Sequence, residues 1–123
     1  MNITTFKHFF TENVNDDLFH LRTKWKQLGA DVFIYLNGMD LQLHSIRVEK
    51  NKRGTGVGSA VMQELIGFAQ KNGHRITLSP STDLGASSLG RLEKFYKRFG
   101  FVYNKGRNKY FSVSDTMIWQ PKH

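Results

Sequence analysis

A glycine-rich segment between a strand-like run and a helix-like run constrains the fold of this chain most strongly. The segment is Lys52-Arg53-Gly54-Thr55-Gly56-Val57-Gly58-Ser59; it follows the strand-like residues 41–48 and enters a helical pattern over 57–71. A turn of this kind presents unpaired backbone N–H groups and the positive end of the helix dipole. Glycines also let an anion approach the backbone closely. The segment therefore predicts a phosphate-binding turn, with Arg53 as a bidentate donor at its edge; the alternative is a tight turn with a glycine-softened helix start.

Spacing separates this turn from two well-known phosphate loops. No stretch of the chain has the Gly-x-x-x-x-Gly-Lys-Ser/Thr spacing of a P-loop. A dinucleotide fingerprint that begins at Gly54 needs a third glycine at position 59, which is Ser59. The pattern that does fit is Arg-x-x-Gly-x-Gly, formed by Arg53, Gly56 and Gly58.

Length, charge and cysteine content limit the possible classes of protein. The chain has 123 residues, which predicts one domain over 1–123. Residues 44–123 hold fourteen of the eighteen Lys and Arg residues but only five of the ten Asp and Glu residues, so essentially all of the net charge of +8 lies there. Such a surplus of positive charge suits a polyanionic ligand, and the alternative is a basic solvated surface. Cysteine is absent, which excludes disulfides and thiol nucleophiles. No run of 18 apolar residues and no signal-peptide pattern is seen, so we predict a cytoplasmic protein that does not enter a membrane.

Hydrophobic periodicity predicts alternating helices and strands. Asp16 or Asp17 is the candidate N-cap of the first helix, and Asn37-Gly38 predicts a hairpin turn. The predicted helices cover 6–29, 57–71 and 91–99; the predicted strands cover 31–35, 41–48, 76–78, 101–103 and 110–119, with a turn-rich loop at 79–90 and a basic turn at 104–109. This order predicts an α/β (α+β) domain with a mixed central sheet flanked by helices.

A second motif gives the chain a family resemblance. The helix-like run 91–99 contains Phe95-Tyr96. Three residues separate Tyr96 from the pair Gly100-Phe101 that follows the run. The Arg-x-x-Gly-x-Gly motif comes first and this second motif follows it. With both motifs in this order, the chain resembles the GCN5-related N-acetyltransferase (GNAT) family over roughly residues 31–120. The resemblance implies a single GNAT-like domain with a compressed N-terminal part, and acetyl-CoA as co-substrate without a metal.

Positions that match the family imply a binding site for acetyl-CoA. Backbone groups at Ile46 and Val48 would pair with the pantetheine arm, and the acyl carbonyl would lie near the backbone of residues 46–48, polarised by an N–H group. N–H groups from Arg53 through Ser59 would hold the pyrophosphate. The complete implied set is Ile46, Arg47, Val48, Arg53, Gly54, Thr55, Gly56, Val57, Gly58, Ser59 and Ser88.

The resemblance also implies catalytic roles for two residues. Tyr96 would protonate the leaving thiolate, because a phenol with a pKa of about 10 can donate to a thiolate; the alternative is an aromatic residue of the core. The position at which many family members carry an acid is His44, whose reference pKa of about 6.5 suits proton removal from an ammonium. Glu49 and an ordered water are the other candidates for the base, and a structural role for His44 stays open.

In one position the sequence departs from the family pattern. An Asn that often binds near the pantetheine corresponds to Leu89, which follows the extended loop 79–90. Ser87 or Ser88 is a possible substitute, with capping of the next helix as the alternative. The short N-terminal region leaves the acceptor amine open, and an open cleft slightly favours a macromolecule such as a protein or an RNA. A monomer and a homodimer both fit.

Some segments partly match motifs of other protein classes. Residues 97–104 partly match the RNA-binding octamer but lack its glycine at Arg98 and its aromatic residue at Asn104. Gly85-Ala86-Ser87-Ser88-Leu89 lacks the closing glycine of a hydrolase elbow, and the five histidines show no metal-ligand spacing. An acetyltransferase that acts on nucleic acid, such as aminoacyl-tRNA, and a non-catalytic CoA- or RNA-binding module remain alternative hypotheses.

Overall fold

The computed structural model describes the backbone of residues 3–81, 88–106 and 109–122, with side chains from Val14 onward. The elements, in chain order, are α1 (Ile3–Gln27), β1 (Ala30–Asn37), β2 (Asp40–Val48), a 3-10 turn (Lys50–Lys52), α2 (Val57–Asn72), β3 (Arg75–Leu78), α3 (Leu89–Arg98), β4 (Val102–Tyr103) and β5 (Met117–Trp119). The predicted order of helices and strands is confirmed.

The described strands form one mixed sheet in the order β1-β2-β3-β5-β4. β1 and β2 form an antiparallel hairpin, and α2 is the crossover that makes β3 parallel to β2. β5 then lies antiparallel between β3 and β4. The mixed α/β architecture expected from the sequence is therefore present.

β2 and β3 separate after only four residue pairs. They pair from Asp40–Arg75 to Leu43–Leu78, but β2 continues to Val48 while β3 ends at Leu78. Pro80 follows closely and has no N–H group to extend the ladder. A gap therefore opens between the two parallel strands, and one edge of β2 is left without a partner strand.

One face of the sheet carries the hydrophobic core. Leu41 on β2 and Ile76 on β3 are fully buried, together with Trp25 from α1 and Leu65 from α2. α1 and α2 lie side by side on this core, since the Trp25 indole and the Lys24 ammonium both donate to Glu64 of α2. Among the described residues, no helix is both long and apolar enough to cross a membrane.

Several local predictions differ from the structure. Neither Asp16 nor Asp17 caps α1, because the helix continues past both residues toward the N-terminus. In the hairpin Asn37 remains in β1 and pairs with Asp40, so the two-residue turn is Gly38-Met39 and only Gly38 has a positive φ, of 63°. This is the position at which a hairpin turn accepts glycine without strain.

The predicted strand over 110–119 is mostly irregular chain, because regular pairing is limited to Met117–Trp119. A buried side chain organises the described part of the segment that precedes it: the Asn104 amide donates to the carbonyls of Val113 and Asp115 at 3.1 and 3.3 Å and accepts from the Tyr110 N–H at 2.8 Å. Asn104 is therefore a buried anchor rather than a turn residue. Residues 107 and 108 of the predicted turn, and 82–87 of the predicted loop, lie outside the described residues.

Candidate active site

The gap between β2 and β3 widens into a cleft of about 930 Å³. Its walls come from the end of β2, from the segment after β3, and from the side of α3 that faces the sheet. Seven residues singled out in the sequence line it: His44, Ile46, Val48, Arg53, Gly58, Ser88 and Tyr96. Residues that are up to 52 positions apart along the chain thus meet in one cleft.

A β-bulge lies in β2 at the mouth of this cleft. Phe33 pairs with Ser45 and the next residue, Ile34, pairs with Leu43, so His44 is the extra residue that has no partner on β1. A bulge bends its strand and redirects side chains, and bulges are common beside active sites. The His44 side chain is exposed and lines the cleft. Sequence reasoning missed the bulge, which no local turn signal marks.

The end of β2 offers the cleft backbone groups that β1 does not pair, of which the Val48 carbonyl accepts a hydrogen bond from Arg53 Nε. The Glu49 N–H donates to the Gly29 carbonyl at 2.8 Å, and hydrogen-bonded pairs alternate along an antiparallel ladder. The backbone groups of Ile46 and Val48 therefore point away from β1, toward the side from which β3 has departed. A ligand with amide groups can bind along this edge as an added strand.

The glycine-rich turn forms the N-terminal end of α2. Gly54 and Gly56 have φ angles of 80° and 86°, which only glycine adopts without strain, and Gly56 is the N-cap without a capping side chain. The first intrahelical bond there runs from the Ala60 N–H to the Gly56 carbonyl, so the N–H groups of residues 57–59 have no helical partner. These orphan donors and the helix dipole form a site for an anion.

Two of the predicted N–H donors are already used within the turn. The Arg53 N–H donates to the Lys50 carbonyl and the Thr55 N–H to the Lys52 carbonyl, at 3.4 and 3.3 Å. The Arg53 side chain instead faces the cleft, where its Nε donates to the Val48 carbonyl at 3.1 Å. That bond holds the guanidinium at the rim of the cleft.

Tyr96 lies where α3 meets the cleft. It is 7% exposed and makes edge contacts with the rings of Phe95 and Phe101. Burial raises the pKa of Tyr96 to about 12, above the value of about 10 assumed from the sequence. The phenol is therefore fully protonated at neutral pH, and it is a weaker acid than expected.

Other predicted residues lie outside the lining. Arg47 is exposed on β2 and pairs with Asp31, and the exposed Glu49 follows the strand; neither is among the described residues that line the cleft. Gly54, Thr55 and Gly56 belong to the turn after Arg53, and Val57 and Ser59 belong to the first turn of α2. Ser88 lines the cleft, but its hydroxyl caps α3 by accepting the Arg91 N–H at 3.1 Å. Leu89 is the first residue of α3, and Ser87 lies outside the described residues.

A carboxylate that sequence reasoning missed also lines the cleft. Asp115, just before β5, accepts from Gln42 Nε2 at 3.2 Å and from Ser79 Oγ at 2.9 Å. Its partners come from β2 and from the end of β3, 73 and 36 residues away. Only the sheet topology brings these residues together, and no local motif marks Asp115.

The comparisons with known proteins identify the family of the chain. The family model for the acetyltransferase (GNAT) domain matches residues 17–103, and the chain belongs to this family. An uncharacterized N-acetyltransferase of Methanocaldococcus jannaschii is 38% identical over 60 residues, which are 49% of this chain and 25% of the relative. The chain thus spans about a quarter of that relative's length.

Two solved structures share the fold. The anti-CRISPR protein AcrVA5 superposes with a TM-score of 0.59 at 18% identity, over 75% of this chain and 90% of its own. Ard1 from Thermoplasma volcanium superposes with a TM-score of 0.52 at 19% identity, over 86% of this chain and 78% of its own. At these identities the likeness concerns the fold.

Proposed function

We propose that this chain is an N-acetyltransferase that moves an acetyl group from acetyl-CoA to a primary amine by direct attack in a ternary complex. The observation that carries the proposal is the continuity of the cleft: unpaired β2 backbone at one end joins the orphan N–H groups of α2 at the other. A long ligand with a pyrophosphate and an amide-containing arm matches both ends. The cleft volume of about 930 Å³ is ample for it.

In this proposal the start of α2 binds the pyrophosphate. The orphan N–H groups of Val57, Gly58 and Ser59 donate to its oxygens, and the helix dipole favours the negative charge. Arg53 adds a charge-assisted contact from the rim.

The exposed edge of β2 orients the reactive end. Backbone groups of Ile46 and Val48 bind the pantetheine arm as an added strand. A backbone N–H near the bulge polarises the acyl carbonyl and stabilises the oxyanion that forms on attack. Holding both reactants in one cleft supplies the proximity that direct transfer needs.

Tyr96 is the group that meets the leaving thiolate. The pKa of Tyr96 is about 12, whereas the thiol that forms from the leaving thiolate has a pKa of about 8.5 to 10. Full transfer of the Tyr96 proton to the thiolate is therefore uphill by roughly 3–5 kcal/mol, at 1.36 kcal/mol per pKa unit. We therefore assign Tyr96 chiefly a hydrogen bond that stabilises the developing thiolate, with water as the final proton source. His44 or an ordered water accepts the proton of the amine.

A transfer assay tests this function. The chain is incubated with acetyl-CoA and a panel of amines, namely a lysine peptide, a peptide with a free N-terminus, spermidine and an aminoacyl-tRNA, and the products are identified by mass. We expect acetylated amine and free CoA in equal amounts. Tight binding of acetyl-CoA with no transfer to any amine favours a non-catalytic CoA-binding module, and absence of binding contradicts the proposal.

A nucleic-acid-borne acceptor is the second candidate, favoured by one surface. Phe111 is 87% exposed with the Lys109 ammonium over its ring, and the ammonium groups of Lys97 and Lys105 lie over Tyr103. An exposed aromatic ring beside a cation, such as that of Phe111, suits base stacking, whereas Tyr103 is half-buried. Phe111→Ala should then lower transfer to aminoacyl-tRNA and leave transfer to peptides unchanged; equal effects on both would contradict this candidate.

A cytoplasmic location and the choice between monomer and homodimer stay predictions.

A further inference from the structure

Asp115 stands out among the charged groups of the cleft. The described lining contains the cationic side chains of Arg53 and Arg91, the titratable His44 and Tyr96, and a single carboxylate, that of Asp115. A site for acetyl-CoA explains cationic groups but provides no use for a carboxylate. Asp115 therefore calls for a different ligand in the same cleft.

The hydrogen bonds of Asp115 leave its negative charge without a counter-ion. Both of its described side-chain partners are neutral, with Gln42 on one oxygen and Ser79 on the other. The chain has a net charge of +8, and the ion pairs seen among the described residues join Lys24 to Glu64, Lys26 to Asp31 and Arg75 to Asp40. Each carboxylate oxygen has lone pairs beyond the one it uses here. Neutral donors fix the carboxylate in place and leave it able to bind a cation.

The surroundings of Asp115 lie on the face of the sheet opposite the hydrophobic core. Side chains alternate along β2, so Gln42 points away from the face that buries Leu41 and Leu43. The bulge puts Ser45 opposite Phe33, on this same side, and the buried Ser45 hydroxyl has no hydrogen-bond partner among the described residues. Ser45 also lines the cleft. The Ser45 hydroxyl is thus a polar group of this part of the cleft that has no hydrogen-bond partner among the described residues.

The gap between β2 and β3 connects the two faces of the sheet. Arg53, Gly58 and Tyr96 approach it from the side of the helices, whereas Gln42 and Asp115 approach it from the other side. A ligand held by α2 therefore meets, through the gap, whatever is held at Asp115. This is the arrangement that a ternary complex needs.

We infer that Asp115, positioned by Gln42 and Ser79, binds the acceptor amine in its protonated ammonium form on the far side of the gap. The inference rests on the proposed function, since it assigns the second substrate of the same cleft. The bound ammonium passes one proton to His44 or water, and its nitrogen then forms the C–N bond with the acyl carbon. The C–S bond breaks and releases the CoA thiolate; the nitrogen loses its second proton to water and the thiolate takes up a proton from water, so that an amide and free CoA result. Asp115 keeps its own charge throughout and acts as a binding residue for the substrate.

Two thioethers of CoA test this subsite without knowledge of the natural acceptor. S-(3-aminopropyl)-CoA carries an ammonium beyond the sulfur, and S-(3-hydroxypropyl)-CoA has the same length without the charge. Their affinities are measured by calorimetry at pH 7.5 and physiological salt. We expect wild type to prefer the ammonium probe by about tenfold, the gain typical of a charge-assisted hydrogen bond in a half-buried place.

Two variants of equal charge locate the preference. Asp115→Asn should bind the hydroxyl probe as wild type does. It should prefer the ammonium probe by less than about twofold, because it lacks the carboxylate that makes the charge-assisted hydrogen bond. Asp31→Asn removes a carboxylate outside the cleft lining and should keep the full preference. A preference that Asp115→Asn retains would overturn the inference, because another group would then carry it.

If Asp115→Asn does not fold, the affinities of wild type for the two probes still test the inference. Equal affinity of wild type for the two probes would overturn the ammonium subsite while leaving the CoA site intact. Failure of both probes to bind would instead refute the proposed function. The two failures are therefore distinguishable.

Discussion

Replacing Tyr96 with phenylalanine should make the stability of the protein less sensitive to alkaline pH. Burial raises the pKa of Tyr96 to about 12 in the folded chain, whereas an unfolded tyrosine titrates near 10. Above pH 10 the unfolded chain releases this proton and the folded chain keeps it, so unfolding becomes easier. The stabilisation is fully present below pH 10 and is lost between pH 10 and pH 12. At 1.36 kcal/mol per pKa unit, the full loss is about 2–3 kcal/mol.

Urea unfolding at pH 8 and pH 11 measures this effect. Between these values wild type should lose about 1.4 kcal/mol more free energy of unfolding than Tyr96→Phe, which has no proton to release. Tyr35→Phe is the matched control, because Tyr35 is 57% exposed, and its loss should equal that of wild type. Equal losses in wild type and Tyr96→Phe would refute the burial argument and, with it, the assignment of Tyr96 as a weak acid.

The remaining predictions concern the cleft and the segment that carries Asp115. Tyr96→Phe should lower kcat by about 10- to 100-fold in the transfer assay with little change in the Kd of acetyl-CoA, because it removes a hydrogen bond to a developing charge; unchanged turnover would remove Tyr96 from the mechanism. Arg53→Ala combined with Gly56→Asp should weaken acetyl-CoA binding at least about tenfold in calorimetry, and unaltered affinity would contradict the anion site. His44→Ala should lower kcat about 100-fold because it removes the group that accepts the amine proton, whereas an unchanged kcat would argue for water as the base. Asn104→Ala should cost about 2–3 kcal/mol of unfolding free energy in urea, and a loss below about 0.5 kcal/mol would contradict its role as an anchor.

Local signals made the elements around the glycine-rich turn predictable. The turn between β2 and α2 needs glycines at positive φ, and both Gly54 and Gly56 show this in the structure. Helix α2 was predicted within one residue of its observed end, since its apolar face is regular and Gly73 ends it with a φ of 72°. Each of these features depends on residues that are close in sequence.

Features that depend on distant contacts escaped prediction. The bulge at His44 arises from the register of β1 against β2, and periodicity within one strand does not determine register. Asp115 reaches the cleft through contacts with Gln42 and Ser79. The capping of α1 by Asp16 or Asp17 was wrong, because α1 begins at Ile3 and both residues lie inside it.

Calorimetric titration of acetyl-CoA, CoA and a generic RNA into the chain at physiological salt tests the central claim most directly. The account predicts micromolar binding of acetyl-CoA and CoA and weak, salt-sensitive binding of the RNA. Arg53→Ala serves as the site-specific control and should weaken both CoA ligands alike, because both carry the same pyrophosphate. Tight binding of RNA with no CoA signal would contradict the account.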